Sequence, residues 1–85
     1  MNMIIASAIK FKIEGSDYPQ IMCGKRHSDI FKLMYDLGIK YQKSEEQGFL
    51  TSYNAFVDRE QAAIVAHISG QIKEPKKELF SEDLW

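Results

Sequence analysis

Residues 3–13 read MIIASAIKFKI, and this stretch decides the fold class. Ile5, Ile9, Phe11 and Ile13 fall on one parity, and Lys10 and Lys12 fall on the other. A period of two marks a strand with one face toward a core. The start of the run is more uniformly apolar, so the strand is expected to be more fully buried there. Glu14-Gly15-Ser16-Asp17 is turn chemistry: glycine tolerates positive φ, and Ser and Asp bond to the local backbone. Tyr18 to Cys23 then reads as a short second strand. Pro19 suits only its beginning or an edge, because it has no N–H to donate. The two strands are expected to pair as a hairpin.

Downstream, the period changes. Ser28 has the chemistry of an N-cap, and Asp29 suits a first helical turn. Ile30, Leu33, Met34 and Leu37 follow the spacing of a buried helical stripe, while Asp29, Lys32 and Asp36 fall on the solvent side. Phe31 and Tyr35 flank the stripe, as core edge or as a subunit contact. Gly38 ends the helix. Residues 39–43, IKYQK, alternate again and are expected to form a third strand, with a polar loop at Ser44 to Gln47. Gly48–Thr51 and Ala55–Val57 bracket Ser52-Tyr53-Asn54, a hairpin with Asn54 able to take a left-handed position. Asp58 and Gln61 have capping-box spacing at the start of a second helix. Ala62, Ile64, Val65, Ala66 and Ile68 give that helix its apolar face, and Gly70 closes it.

The last stretch, QIKEPKKELFSEDLW, is charged in the middle and apolar at its end. Leu79, Phe80, Leu84 and Trp85 are expected to fold back onto the sheet or to dock on a neighbouring subunit. The expected fold is therefore α+β: a small antiparallel sheet in the order β-β-α-β-β-β-α, with two helices and a docking tail over residues 71–85. The 85 residues make one domain.

Composition limits what such a domain does. The net charge is −1, which argues against general coating of nucleic acid. A chain of this size buries only about 60% of its unfolded surface. Self-association is then a natural source of further buried area. Cys23 is the one cysteine, so no internal disulfide can form. Beside Ile21 and Met22 it is expected to be a small buried hydrophobe in a reducing, cytoplasmic setting. The apolar run Met3–Ile9 is too short to span a bilayer, and no basic stretch precedes it.

The chain has no catalytic signature. His27 and His67 are distant in sequence, with a single Cys, so no metal-ligand spacing exists. No G-x-S-x-G elbow, Walker A run or dinucleotide fingerprint is present. Ser28 next to His27 is a neighbour pair and not a triad. The expectation is a binding protein with no cofactor and no metal, and not an enzyme.

Two segments stand out as binding candidates. In Gly24-Lys25-Arg26-His27-Ser28-Asp29 a strand ends, a glycine permits close approach and a helix begins. Free N–H groups, Arg26, Lys25 and the His27 imidazole are gathered there, which is what a phosphate needs. The competing interpretation is a solvated turn with His27 packed beside the helix start. It weighs more, because many anion-ready helix ends hold nothing. The second candidate is Phe49, Tyr53 and Phe56 around the hairpin, with Arg59 at the next helix start. Aromatics and an arginine can stack a base. Core packing wins for Phe56 and is evenly balanced for Phe49 and Tyr53. His67 reads as a flank of the core.

The segments IIASAIK (4–10), CGKRH (23–27), QGFLT (47–51), FVDREQA (56–62), GQI (70–72) and LFSEDLW (79–85) resemble small phage-encoded proteins. In particular the chain is similar to the Thoeris anti-defence sponges, the first of the two such families described. The resemblance runs in order along nearly the whole chain. It implies a protein of the infected host's cytoplasm that binds cyclic ADP-ribose-type signals and holds them uncleaved. It also implies a homo-oligomer, dimer or higher, with a separate basic site for cyclic oligonucleotides in some members. Carried onto this chain, Phe49 would stack the base, Asp58 and Arg59 would lie beside ribose and phosphates, and Arg26 and His27 would form the second site. Lys25 and Tyr53 are further ligand candidates. This chain departs in its shorter length, in Lys76 and Lys77 where an arginine is expected, and in the charge of Asp58. The rival expectation is a phage accessory protein that inhibits a host protein through its aromatic tail.

Overall fold

A computed structural model describes residues 1–39 and 45–85. The elements are β1 (Ile4–Lys12), β2 (Pro19–Gly24), α1 (His27–Asp36), β3 (Glu46–Thr51), β4 (Phe56–Asp58) and α2 (Arg59–Ile68), followed by a single 3-10 turn at Ser81–Asp83. The strand expected over 39–43 lies outside the described residues, apart from Ile39. The four strands form one antiparallel sheet in the order β2-β1-β3-β4. The α+β class and the β-β-α-β-β-α order of the described elements follow the sequence reading.

Register assigns the faces. Ser7, Ile9 and Phe11 of β1 lie opposite Gly24, Met22 and Gln20 of β2, and the helices cover this side. Between Ile4 and Ala6 the β1–β3 register shifts. The bulge turns Ile4 into the core, at 1% exposure, and Ile5 outward at 50%. This corrects the expectation that Ile5 continues the inward parity, since one extra residue in a strand inverts everything before it.

The core has two centres. Ile9, Phe11, Ile30 and Met34 pack together under α1, and Ile4, Phe49, Ala62, Ala63, Ala66 and Leu79 pack under α2. Alanines in α2 allow close approach to the sheet. Only Ile30 and Met34 of the α1 stripe are inside, and Leu33 and Leu37 are exposed. Likewise Ile64 and Ile68 of α2 face outward, where the sequence placed them on the apolar face. Both helices rest on the sheet along narrow stripes, so the outer apolar pairs find no cover among the described residues.

Cys23 is exposed, not buried as expected. It sits on the edge strand β2 opposite Ala8, on the face away from the helices, while its neighbour Met22 points inward. The tail docks on its own chain. Leu79 and Ser81 are buried, and Leu84 and Trp85 pack against the α2 cluster. Phe80, expected inside, is 41% exposed.

Local chemistry holds at the connections. Asn54 takes φ 62° in the β3–β4 turn, as a short polar side chain permits. The Asp58 carboxylate accepts from the Gln61 amide at 2.8 Å, and the Gln61 side chain accepts from the Asp58 amide at 3.2 Å, completing the capping box. Gln71 follows α2 and bonds both the amide and the carbonyl of Ile4, each at 2.8 Å, which ties the post-helix segment to β1.

Candidate functional site

The junction of β2 and α1 carries the first candidate segment. The helix begins at His27, with Arg26 extended before it and no side-chain cap of its own. Ser28 therefore stands in the first turn and does not cap, contrary to the sequence expectation. The cap comes from the tail: the Ser81 hydroxyl accepts from the His27 amide at 3.3 Å. A helix start with a distant partner has no need of a local Ser or Asp.

His27 is buried and both ring nitrogens are engaged. Nε2 lies 2.8 Å from the Gly48 carbonyl and must donate, because a carbonyl only accepts. The neutral ring then accepts at Nδ1 from the Ser81 hydroxyl, 2.7 Å away. Ser81 Oγ also lies 2.7 Å from Ser7 Oγ, and Ser7 donates to the Lys25 carbonyl at 3.0 Å. The neutral ring leaves this chain one hydrogen short, so the Ser7 hydrogen is shared between two acceptors. A charged ring would supply the missing hydrogen, but burial opposes it. Burial holds the His27 pKa below its usual value. The Gly48 carbonyl resists that shift, the nearby Arg59 charge adds to it, and Glu82 resists. The Phe49 ring closes the site edge-on, 5.1 Å from the imidazole.

Arg59 organises a second region. Its guanidinium donates to Gln47 Oε1 and lies 4.6 Å from the centroid of the Phe80 ring. Lys76 stands 5.8 Å from the same ring and pairs with Asp83 at 2.6 Å. Slight burial raises the Asp83 pKa, but Lys76 and the Phe80 amide overcome it and hold the carboxylate below its ordinary range. Beside Arg59 lies an open depression of about 340 Å³, lined by Gln47, Asp58, Arg59, Glu60 and Glu78.

The sequence-derived candidates divide accordingly. Lys25 and Arg26 are exposed, and Arg26 donates to the Trp85 main-chain oxygen. His27 and Phe49 touch each other but are sealed in the core, with Phe49 at 0% exposure, so its ring presents no face for stacking. Asp58 and Arg59 line the depression together. Tyr53 is exposed at the β3–β4 turn, at the far end of β4 from Arg59. The structure thus joins Asp58 with Arg59, and leaves Tyr53 apart.

Sequence reasoning missed Ser7, Ser81, Gln47, Glu78 and Phe80. Ser7 carried a signal, since a serine on the inward parity of β1 asks for a buried partner. Ser81, Glu78 and Phe80 carried none, because their roles depend on where the tail lies, and Gln47 carried none, because its role depends on how α2 lies on β3. Among the described residues, no group of His, Cys, Asp or Glu is placed to hold a metal ion, and no helix is long and apolar enough to cross a membrane.

Comparison with known proteins places the chain. A family model described as phage T4 y16D protein matches residues 3–85. No curated protein and no solved structure matches it.

Proposed function

The chain belongs to the phage T4 y16D protein family, and on that footing we propose that it is a phage anti-defence protein. In this reading it binds cyclic nucleotide immune signals, of the cyclic ADP-ribose type and also cyclic oligonucleotides, and sequesters them uncleaved in the host cytoplasm. The family match supports the phage origin, and the resemblance of the six segments to the Thoeris sponges supports the ligand class.

The observation that carries the reading is Arg59. It is half-buried beside a depression of small-ligand size, aligned by Gln47 and Phe80, and has no carboxylate within ion-pair distance among the described residues. An ordered cation without an ion pair favours an anionic ligand. Lys25 and Arg26 add exposed positive charge at the start of α1. His27 offers a ligand neither a contact nor a proton, because its ring is buried and both nitrogens are committed to Gly48 and Ser81. Tight ground-state binding needs no proton-transfer group.

A homo-oligomer belongs to this reading. Leu33 with Leu37, and Ile64 with Ile68, are apolar pairs one helical turn apart that stand exposed on α1 and α2. The same exposed pairs favour a second reading, in which the chain inhibits a host protein through them and not through the tail, whose Leu79, Leu84 and Trp85 pack within the chain.

Calorimetric titration with cyclic ADP-ribose isomers and cyclic oligonucleotides tests the proposal, with the ligand recovered after denaturation. Tight binding, weakened in Arg59→Ala for cyclic ADP-ribose isomers and in Arg26→Ala for oligonucleotides, with ligand returned intact, supports sequestration. A chemically altered ligand would make the protein an enzyme. No heat with any ligand would leave the host-protein reading.

A further inference from the structure

We propose that Arg59, backed by the Phe80 ring, forms the stacking floor of a purine-recognition cavity in which Glu78 reads the amino group of the base. This rests on the sequestration reading and names the part of the ligand that the cavity takes.

The floor is ordered before any ligand arrives. Arg59 follows Asp58, which the capping box fixes. Its guanidinium is held by Gln47 on the sheet and by the Phe80 ring 4.6 Å away. A guanidinium plane backed by an aromatic ring is a surface on which bases stack. Phe80 does not serve the core: its neighbours Leu79 and Ser81 are buried, and it is 41% exposed. The cavity beside them, about 340 Å³, falls within the range of small-ligand sites of roughly 300–1,000 Å³.

The walls select the chemistry. Asp58, Glu60 and Glu78 line the cavity. Ionised carboxylates only accept hydrogen bonds, and they repel phosphate. The part of the ligand that lies against these carboxylates is therefore uncharged and rich in donors, and the phosphates of the anionic ligand lie away from them. An amino-purine edge fits this requirement. Asp58 already accepts from the Gln61 amide at 2.8 Å. Glu78 has no hydrogen bond or ion pair among the described residues, which leaves its carboxylate open to a ligand. Phe49 cannot supply the stacking surface, because it is sealed beneath α2.

The test is calorimetric titration of the full chain with four probes: adenosine, guanosine, purine riboside and uridine 5′-monophosphates. Wild type should bind an amino-purine about tenfold tighter than purine riboside monophosphate, which lacks the amino donor. Phe80→Leu removes the ring that backs the guanidinium and should weaken purine binding about tenfold, and Phe80→Trp should retain it. Glu78→Gln should bring the amino-purine and purine riboside affinities close together while leaving the thermal midpoint unchanged. Equal binding of all four probes, or purine binding unaffected by Phe80→Leu, would overturn the inference. If cyclic ADP-ribose isomers bind wild type and Phe80→Leu alike, the cavity assignment fails and sequestration stands. If the mononucleotides behave as stated and no cyclic ligand binds, sequestration fails and the cavity stands. Binding of no nucleotide at all overturns both.

Discussion

His27 Nδ1 and Ser81 Oγ lie 2.7 Å apart in the protein interior, although 54 residues separate them in the chain. This contact fastens the tail to the start of α1 within one chain. The tail is thus part of the domain's own structure. Removing Phe80 to Trp85 would strip the partner from a buried imidazole, so such a deletion cannot separate a role in oligomer formation from a role in folding.

Ser81→Ala should destabilise the fold by about 1–3 kcal/mol, because it leaves buried His27 Nδ1 without a donor. Urea unfolding reads this as a lower midpoint at unchanged slope. A midpoint within error of wild type would mean that the hydroxyl contributes nothing to tail docking.

Stability should fall on mild acidification. The His27 pKa lies below 6.5 in the folded chain. Below 6.5 the unfolded chain takes up a proton that the folded chain resists, so stability rises with pH. The His27 contribution is then fully present above 6.5 and is lost as pH falls from there toward the folded value. Thermal midpoints recorded between about pH 5 and 8, for wild type and His27→Gln, isolate it. A slope equally steep in both proteins would place its origin elsewhere.

Phe49→Ala should cost about 3–5 kcal/mol, as expected for a large side chain removed from a packed core. Tyr53→Ala, at an exposed turn, should stay within about 0.5 kcal/mol. Chemical denaturation distinguishes the two. Loss of ligand binding in Phe49→Ala is interpretable only after its folding has been established.

Gly48→Ala should be more damaging than a methyl group suggests. A Cβ there would stand 2.2 Å from the Val57 carbonyl oxygen and 2.6 Å from Phe56 Cζ. Backbone is on one side, so the β3–β4 pairing itself must open. A loss of about 3 kcal/mol or failure to fold is expected, read from soluble yield and circular dichroism. A wild-type melting curve would show that the two strands can separate there at little cost.

Local chemistry is legible in the sequence except at Ser28, whose capping role Ser81 takes from a distance, and long-range placement is not. The Asp58–Gln61 capping box and the Asn54 turn depend on residues a few positions apart, and both stand as read. Ile5 and Ile4 exchanged roles because a bulge has no residue signature in this strand. The apolar stripes of α1 and α2 are wider than the faces they bury, since periodicity marks what can be buried and the sheet decides how much is. In the candidate site, Asp58 and Arg59 adjoin by sequence alone. Phe80 and Glu78 join them only once Leu79 has docked, and no local pattern encodes that.

The union of Ile4 and Leu79 in one cluster also bears on how the chain is made. Within this domain β1 is made before its partners, and it is an interior strand paired on both sides. Its β3 neighbour and the Gln71 and Leu79 contacts arrive only after a large part of the sequence has been translated. Contacts of such separation close slowly, and an unpaired apolar strand is an aggregation hazard while it waits. Completion of this core accordingly waits on the Gln71 and Leu79 contacts, and β1 stays open to wrong pairing until they form.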